Sequence, residues 1–95
     1  MKKRVHIKVY GRVQGVFYRV HTQEQASRLD INGWVMNMPD RTVEIDAEGS
    51  KEALEQLIAW ANQGPPHARV DNIDIHWEDK LENYTSFTIK RSGWY

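Results

Sequence analysis

The sequence predicts an α+β fold of order βαββαβ, with one antiparallel sheet and two helices packed on one face. Three observations carry this. Apolar residues alternate at period two in several short segments, two stretches between them have helical composition or spacing, and Gly, Pro and Asn fall at the joints.

Val5, Ile7 and Val9 alternate with His6, Lys8 and Tyr10, the pattern of a half-buried strand. From Arg19 to Asp30 the composition is helical, with Ala26 and Leu29 on a shared face, and Asn32-Gly33 is expected to end the helix. Trp34 to Met38 reads as a second strand and Pro39-Asp40-Arg41 as a turn. In the third strand Val43, Ile45 and Ala47 alternate with Thr42, Glu44, Asp46 and Glu48, an acidic face expected to be solvated. Ser50 suits an N-cap, and Leu54, Leu57, Ile58 and Ala61 follow at helical spacing until Gly64-Pro65-Pro66 stops the helix. Ile73, Ile75 and Trp77 mark a fourth strand, Glu78 to Asn83 a charged loop, and Phe87 and Ile89 a closing strand. Strands and single helices in this order form the ferredoxin-like plait. With 95 residues and no linker or repeat, residues 1–95 are expected to form a single domain.

Composition narrows the function classes. Thirteen Lys and Arg balance thirteen Asp and Glu, which removes the electrostatic case for a nucleic-acid or anionic-membrane partner. Without cysteine there is no disulfide framework, thiol nucleophile or cysteine metal site. Met1-Lys2-Lys3-Arg4 is followed by alternation instead of an apolar run, so the chain is expected to be cytoplasmic. Four histidines, His6, His21, His67 and His76, lack metal-ligand spacing and are read as surface or edge-strand residues. No metal or other cofactor is expected. Trp34, Trp60 and Trp77 read as packing residues, and Trp94 as an exposed one.

The segment most informative about chemistry is Gly11-Arg12-Val13-Gln14-Gly15-Val16-Phe17-Tyr18-Arg19, which joins the first strand to the first helix. Two glycines let the backbone turn sharply and gather its N–H groups on one side. The helix start adds unpaired donors and the positive end of a dipole, and Arg19 a planar fork matched to phosphate oxygens. Taken alone the segment reads as a tetrahedral-anion cradle or as an ordinary strand-to-helix turn. Arg12 either adds positive potential there or is a solvated loop charge.

Together with Gly33-Trp34-Val35-Met36-Asn37-Met38-Pro39-Asp40, Val43-Glu44, Ala47-Glu48-Gly49 and Gly64-Pro65-Pro66, this segment resembles the acylphosphatases across nearly the whole chain. The resemblance implies a metal-independent enzyme that hydrolyses acyl phosphates, small molecules, to a carboxylate and inorganic phosphate. It implies that Arg19 binds the phosphoryl group, that Asn37 positions the attacking water, and that the amides of Gly11, Arg12, Val13, Gln14, Gly15, Val16 and Phe17 cradle the phosphate. A monomer is expected, with no nucleic-acid or membrane partner.

Departures from the family pattern stand at Met36, where lysine or arginine is common, and at Arg41, where glycine is usual. Phe17-Tyr18 replaces a common Gly-Phe and is expected to narrow the pocket mouth, and the tail Arg91 to Tyr95 runs past the usual ending. Two rival classes fit the element order or the loop. RNA-recognition domains share the element order, but Glu44, Asp46 and Glu48 would repel a phosphate backbone and only Tyr10 could stack. A non-catalytic phosphate-binding module would have no use for the water-orienting amide of Asn37.

Overall fold

The computed structural model describes residues 1–91, so Trp94 and the tail beyond Arg91 lie outside the described residues. Its elements are β1 (Lys2–Arg12), α1 (Tyr18–Arg28), β2 (Asn32–Asn37), β3 (Val43–Ser50), α2 (Lys51–Gln63), β4 (Arg69–Glu78) and β5 (Phe87–Lys90). The strands form one sheet in the order β4-β1-β3-β2-β5. The α+β plait is as expected, with one difference: β1 to β4 pair antiparallel, whereas β5 lies parallel to β2, making the sheet mixed. The register explains why. Glu78, Arg4, Glu48 and Asn32 stand in one row, so β4 ends where β2 begins. A chain that crosses at that end can only run alongside β2 in the same direction.

Val5, Ile7, Val9, Val35, Ile45 and Ala47 cover one face of the sheet and are buried against Ala26, Leu54, Leu57 and Ala61 of the helices. Each fully buried aliphatic side chain contributes about 1.5–3 kcal/mol. In α1 the stripe is thin: Tyr18, Thr22 and Ala26 are buried at a spacing of four, and the Thr22 hydroxyl donates to the Tyr18 carbonyl at 2.7 Å. This helix closes at Arg28, earlier than expected. Asp30 takes a left-handed φ of 59°, and the N–H groups of Asp30 and Ile31 bond back to Ser27 and Ala26. Asn32-Gly33 therefore opens β2 and does not end the helix. Ser50 caps α2 as expected, accepting from the Ala53 N–H at 3.1 Å.

The opposite face is not the solvated acidic surface that alternation suggests. Residues 79–86, between β4 and β5, cross it. The Glu48 carboxylate, 1% exposed, accepts from the backbone N–H groups of Glu82, Asn83 and Tyr84. Asp46 is also 1% exposed; it pairs with Arg4 at 2.7 Å and His6 Nδ1 at 2.8 Å, and accepts from the Tyr84 hydroxyl at 2.9 Å. His6 consequently sits on a central strand between two carboxylates, its Nε2 2.8 Å from Glu44, and not at a surface or edge. Trp34 packs here too: its indole N–H donates to the Tyr84 hydroxyl and the Lys90 ammonium lies 4.7 Å above its ring. The strand periodicity was legible, but a crossover that needs acceptors for its backbone amides was not.

Candidate active site

The candidate site lies at the far end of the sheet. There Asn37, Val43 and Val9 stand in one row, which places the last residue of β2 beside the point where β1 leaves the sheet. The first strand runs further than periodicity suggests, so Gly11 and Arg12 are strand residues paired to Val70 and Arg69. The register slips between Tyr10 and Gly11, a bulge of the kind that re-aims side chains near functional sites. Only glycine fits there: a Cβ on Gly11 would lie 2.1 Å from the Arg69 carbonyl oxygen.

The loop from Val13 to Phe17 is anchored by its apolar residues. Val13 and Val16 are buried in the core, which leaves the backbone between them at the surface. Gly15 and Phe17 both take left-handed φ, 74° and 64°. For Gly15 this conformation is unstrained; for Phe17 it is held at a cost of about 1–3 kcal/mol. The Phe17 ring points outward and is 71% exposed, while Tyr18 turns into the core and donates its hydroxyl to the Ala61 carbonyl at 2.7 Å. The expected narrowing of the pocket mouth by this bulky pair is thus limited to Phe17 at its rim. Burial also raises the Tyr18 hydroxyl pKa far above its ordinary value, so this residue is a fixed donor.

Among the described residues, no backbone N–H from Gln14 to Val20 donates to a protein acceptor; the first to do so is His21, to the Phe17 carbonyl at 3.1 Å. Helix α1 has no side-chain cap and no acidic residue in its first turn. A run of amides at an uncapped helix start, turned by two left-handed residues, has the donor arrangement that suits an anion. Gln14 fixes its geometry, since its side-chain amide donates to the Met38 and Thr42 carbonyls at 2.8 and 2.9 Å. Those bonds tie the loop to the β2–β3 turn.

Arg19 and Asn37 meet here. Two adjoining cavities, of about 200 and 400 Å³, share Gly15, Arg19 and Asn37 in their walls. Val13, Phe17, Tyr18 and Val20 complete one, and Gln14 and Arg91 the other. Among the described residues, Asn37 Oδ1 is the single buried side-chain oxygen or nitrogen without a hydrogen-bond partner. A buried acceptor of this kind costs about 1–3 kcal/mol unless a group outside the protein satisfies it. Of the other expected cradle residues, Val16 faces the core, and Gly11 and Arg12 line a separate cleft with Arg41 and Arg69. No three His, Asp or Glu side chains among the described residues converge to hold a metal ion.

Arg91 was not singled out from the sequence. It reaches the site because β5 runs parallel to β2 with Lys90 opposite Met36, so the next residue falls beside Asn37. Parallel register between strands so far apart in the chain leaves no local signal. This arginine brings positive charge to the neighbourhood in which Met36 lacks it.

Comparison with known proteins gives a consistent result. The acylphosphatase family model matches residues 5–89. The acylphosphatase of Thermococcus kodakarensis is 50% identical over 76 residues, covering 80% of this chain and 84% of that protein. That of Methylococcus capsulatus is 46% identical over 89 residues, covering 94% of this chain and 97% of that protein. Among solved structures, the crystal structure of acylphosphatase from Bacillus subtilis superposes with a TM-score of 0.90 at 37% identity, covering 95% of this chain and 99% of that one.

Proposed function

This chain belongs to the acylphosphatase family and hydrolyses acyl phosphates, and from that premise we propose how its residues carry the reaction. Residues 1–95 act as one domain. Arg19 and the amides from Gln14 to Val20 hold the phosphoryl group, and Asn37 orients the attacking water. The observation that supports this most strongly is the pairing of an unpartnered buried acceptor, Asn37 Oδ1, with Arg19 across the same two cavities.

The chemistry suits these groups. Phosphoryl transfer passes through a loose transition state with charge spread over three equatorial oxygens, so catalysis is mainly positioning and electrostatic stabilisation. A planar guanidinium and fixed amide dipoles supply that complement, and Arg91 adds to it from the rim. The Asn37 side-chain amide can both donate to and accept from a water, and it brings no negative charge next to an anionic substrate. The water oxygen bonds to phosphorus as the bond from phosphorus to the acyl oxygen breaks. The acyl oxygen leaves as a carboxylate, and the water's proton passes to a phosphate oxygen. Because the leaving group is a weak base, no protein acid is required. The reaction as proposed uses no metal: benzoyl phosphate hydrolysis is expected to persist in excess chelator, and its complete loss would overturn the metal-free scheme.

A further inference from the structure

Beside the phosphate loop lies a second cleft, of about 640 Å³, lined by Gly11, Arg12, Val13, Gln14, Arg41, Arg69 and Asp71. Three of its walls are guanidinium groups on exposed side chains, in a chain whose formal net charge is zero. Two features show that this charge is concentrated against a structural cost. Arg12 and Arg69 stand directly opposite each other across β1 and β4, a like-charge pairing that destabilises a sheet. Arg41 holds a left-handed φ of 74° at the β2–β3 turn, a conformation that glycine would adopt without strain. One carboxylate answers the three cations: Asp71 pairs with Arg69 at 3.0 Å, while Arg12 and Arg41 make no ion pair among the described residues.

The cleft also adjoins the cavities of the proposed active site. Gln14 lines both this cleft and the cavity of Arg19 and Asn37, and Val13 lines both this cleft and the smaller cavity. A substrate held by its phosphoryl group on the loop could therefore extend its acyl chain past Gln14 towards Arg41. Through its bonds to Met38 and Thr42, Gln14 also fixes the turn that carries Arg41 relative to the loop.

We propose that this cleft is a specificity subsite for a second anion, a carboxylate or phosphate carried at the distal end of the acyl group. This deepens the acyl phosphate reading above and rests on it. Arg12, Arg41 and Arg69 converge on the distal anion, and planar guanidinium forks suit both oxyanion types. Such contacts between exposed groups are screened by salt.

The test compares ω-carboxyacyl phosphates of six and eight carbons with uncharged acyl phosphates of the same lengths, each rate being referred to non-enzymatic hydrolysis. At low ionic strength the wild type is expected to favour the carboxylated substrate by about tenfold in kcat/KM at one or both lengths, mostly through KM, and the preference is expected to shrink in about 1 M salt, where screening is short-ranged. The double variant Arg41→Gln with Arg69→Gln is expected to abolish the preference while its kcat/KM on the uncharged substrates stays unchanged. If the wild type shows no preference at either length, or if the double variant retains it, the subsite is wrong while acyl phosphate hydrolysis stands. A preference for the uncharged chains would place the acyl group on the apolar rim of Phe17 and Val20 and equally overturn the proposal. Failure to hydrolyse any of these substrates would overturn the acyl phosphate reading itself, and the subsite with it.

Discussion

Replacing Glu48 by glutamine removes one oxygen acceptor from beneath three backbone donors. In the native structure the two carboxylate oxygens accept from the N–H groups of Glu82, Asn83 and Tyr84, at a position only 1% exposed. In the better of the two amide orientations, the remaining oxygen takes the Glu82 and Asn83 donors, and the new amide nitrogen faces the Tyr84 N–H. That leaves a buried donor unsatisfied, about 1–3 kcal/mol, and removes charge assistance from the other two bonds, about 0.5 kcal/mol each. The expected loss is about 3 kcal/mol, equivalent to about 12–24 °C in Tm for a domain of this size. Urea denaturation monitored by tryptophan fluorescence measures it, with an unchanged m-value showing that the unfolded reference is the same. The proposed active site lies at the other end of the sheet, five residues along β3 and about 17 Å away. Turnover at 25 °C should therefore stay close to wild type in the folded fraction. A destabilisation below about 1 kcal/mol would refute the reasoning that Glu48 holds the crossover down.

Two further outcomes follow from the same structure. His6 is raised above its ordinary pKa of 6.5, first by its hydrogen bond to Asp46, against desolvation, and then by Glu44. In Asp46 desolvation works upward, but hydrogen bonds from His6, Arg4 and Tyr84 outweigh it and bring the carboxyl down from 3.8 to about 2. A raised histidine contributes stability in full below its unfolded pKa and loses it as pH rises through the folded value; a depressed carboxyl contributes above its unfolded pKa and loses it as pH falls. His6→Gln should thus destabilise most between about pH 4 and 6.5 and progressively less in alkaline solution, and a difference from wild type that is flat or grows between pH 5 and 9 in denaturant melts would contradict the network. At the β2–β3 turn, Arg41→Gly should stabilise by about 1 kcal/mol through relief of its left-handed backbone, whereas Arg41→Ala should not; equal stabilities of the two variants would show that the turn carries no strain.

Much of the fold could be read from local pattern because local pattern is what forms it. The alternation of Val5, Ile7 and Val9 and the spacing of Leu54, Leu57 and Ala61 both mark residues that are buried where expected. The boundaries that moved are those set by single backbone conformations: Asp30 in a left-handed turn ends α1, and a bulge at Gly11 lets β1 continue to Arg12. Period two also says which residues share a face but not what covers that face. Hence Asp46 and Glu48 looked solvated, though a crossover of residues 79–86 buries them. In the candidate site, Arg19 and Asn37 stood out because their surrounding motifs resemble a family. Arg91 and the Arg12–Arg41–Arg69 cleft depend on tertiary register, which brings together residues that no sequence spacing links.

The division of labour between holding phosphate and aiming water is tested most directly by measuring phosphate binding and benzoyl phosphate turnover side by side in Arg19→Ala and Asn37→Ala. Arg19→Ala should lose both, and Arg19→Lys should fail to restore them, because an ammonium lacks the bidentate fork. Asn37→Ala should bind phosphate as the wild type does while kcat falls by about two orders of magnitude, the effect of losing a positioning group. Phosphate binding lost together with turnover in folded Asn37→Ala, or full turnover in Arg19→Ala, would contradict the assignment.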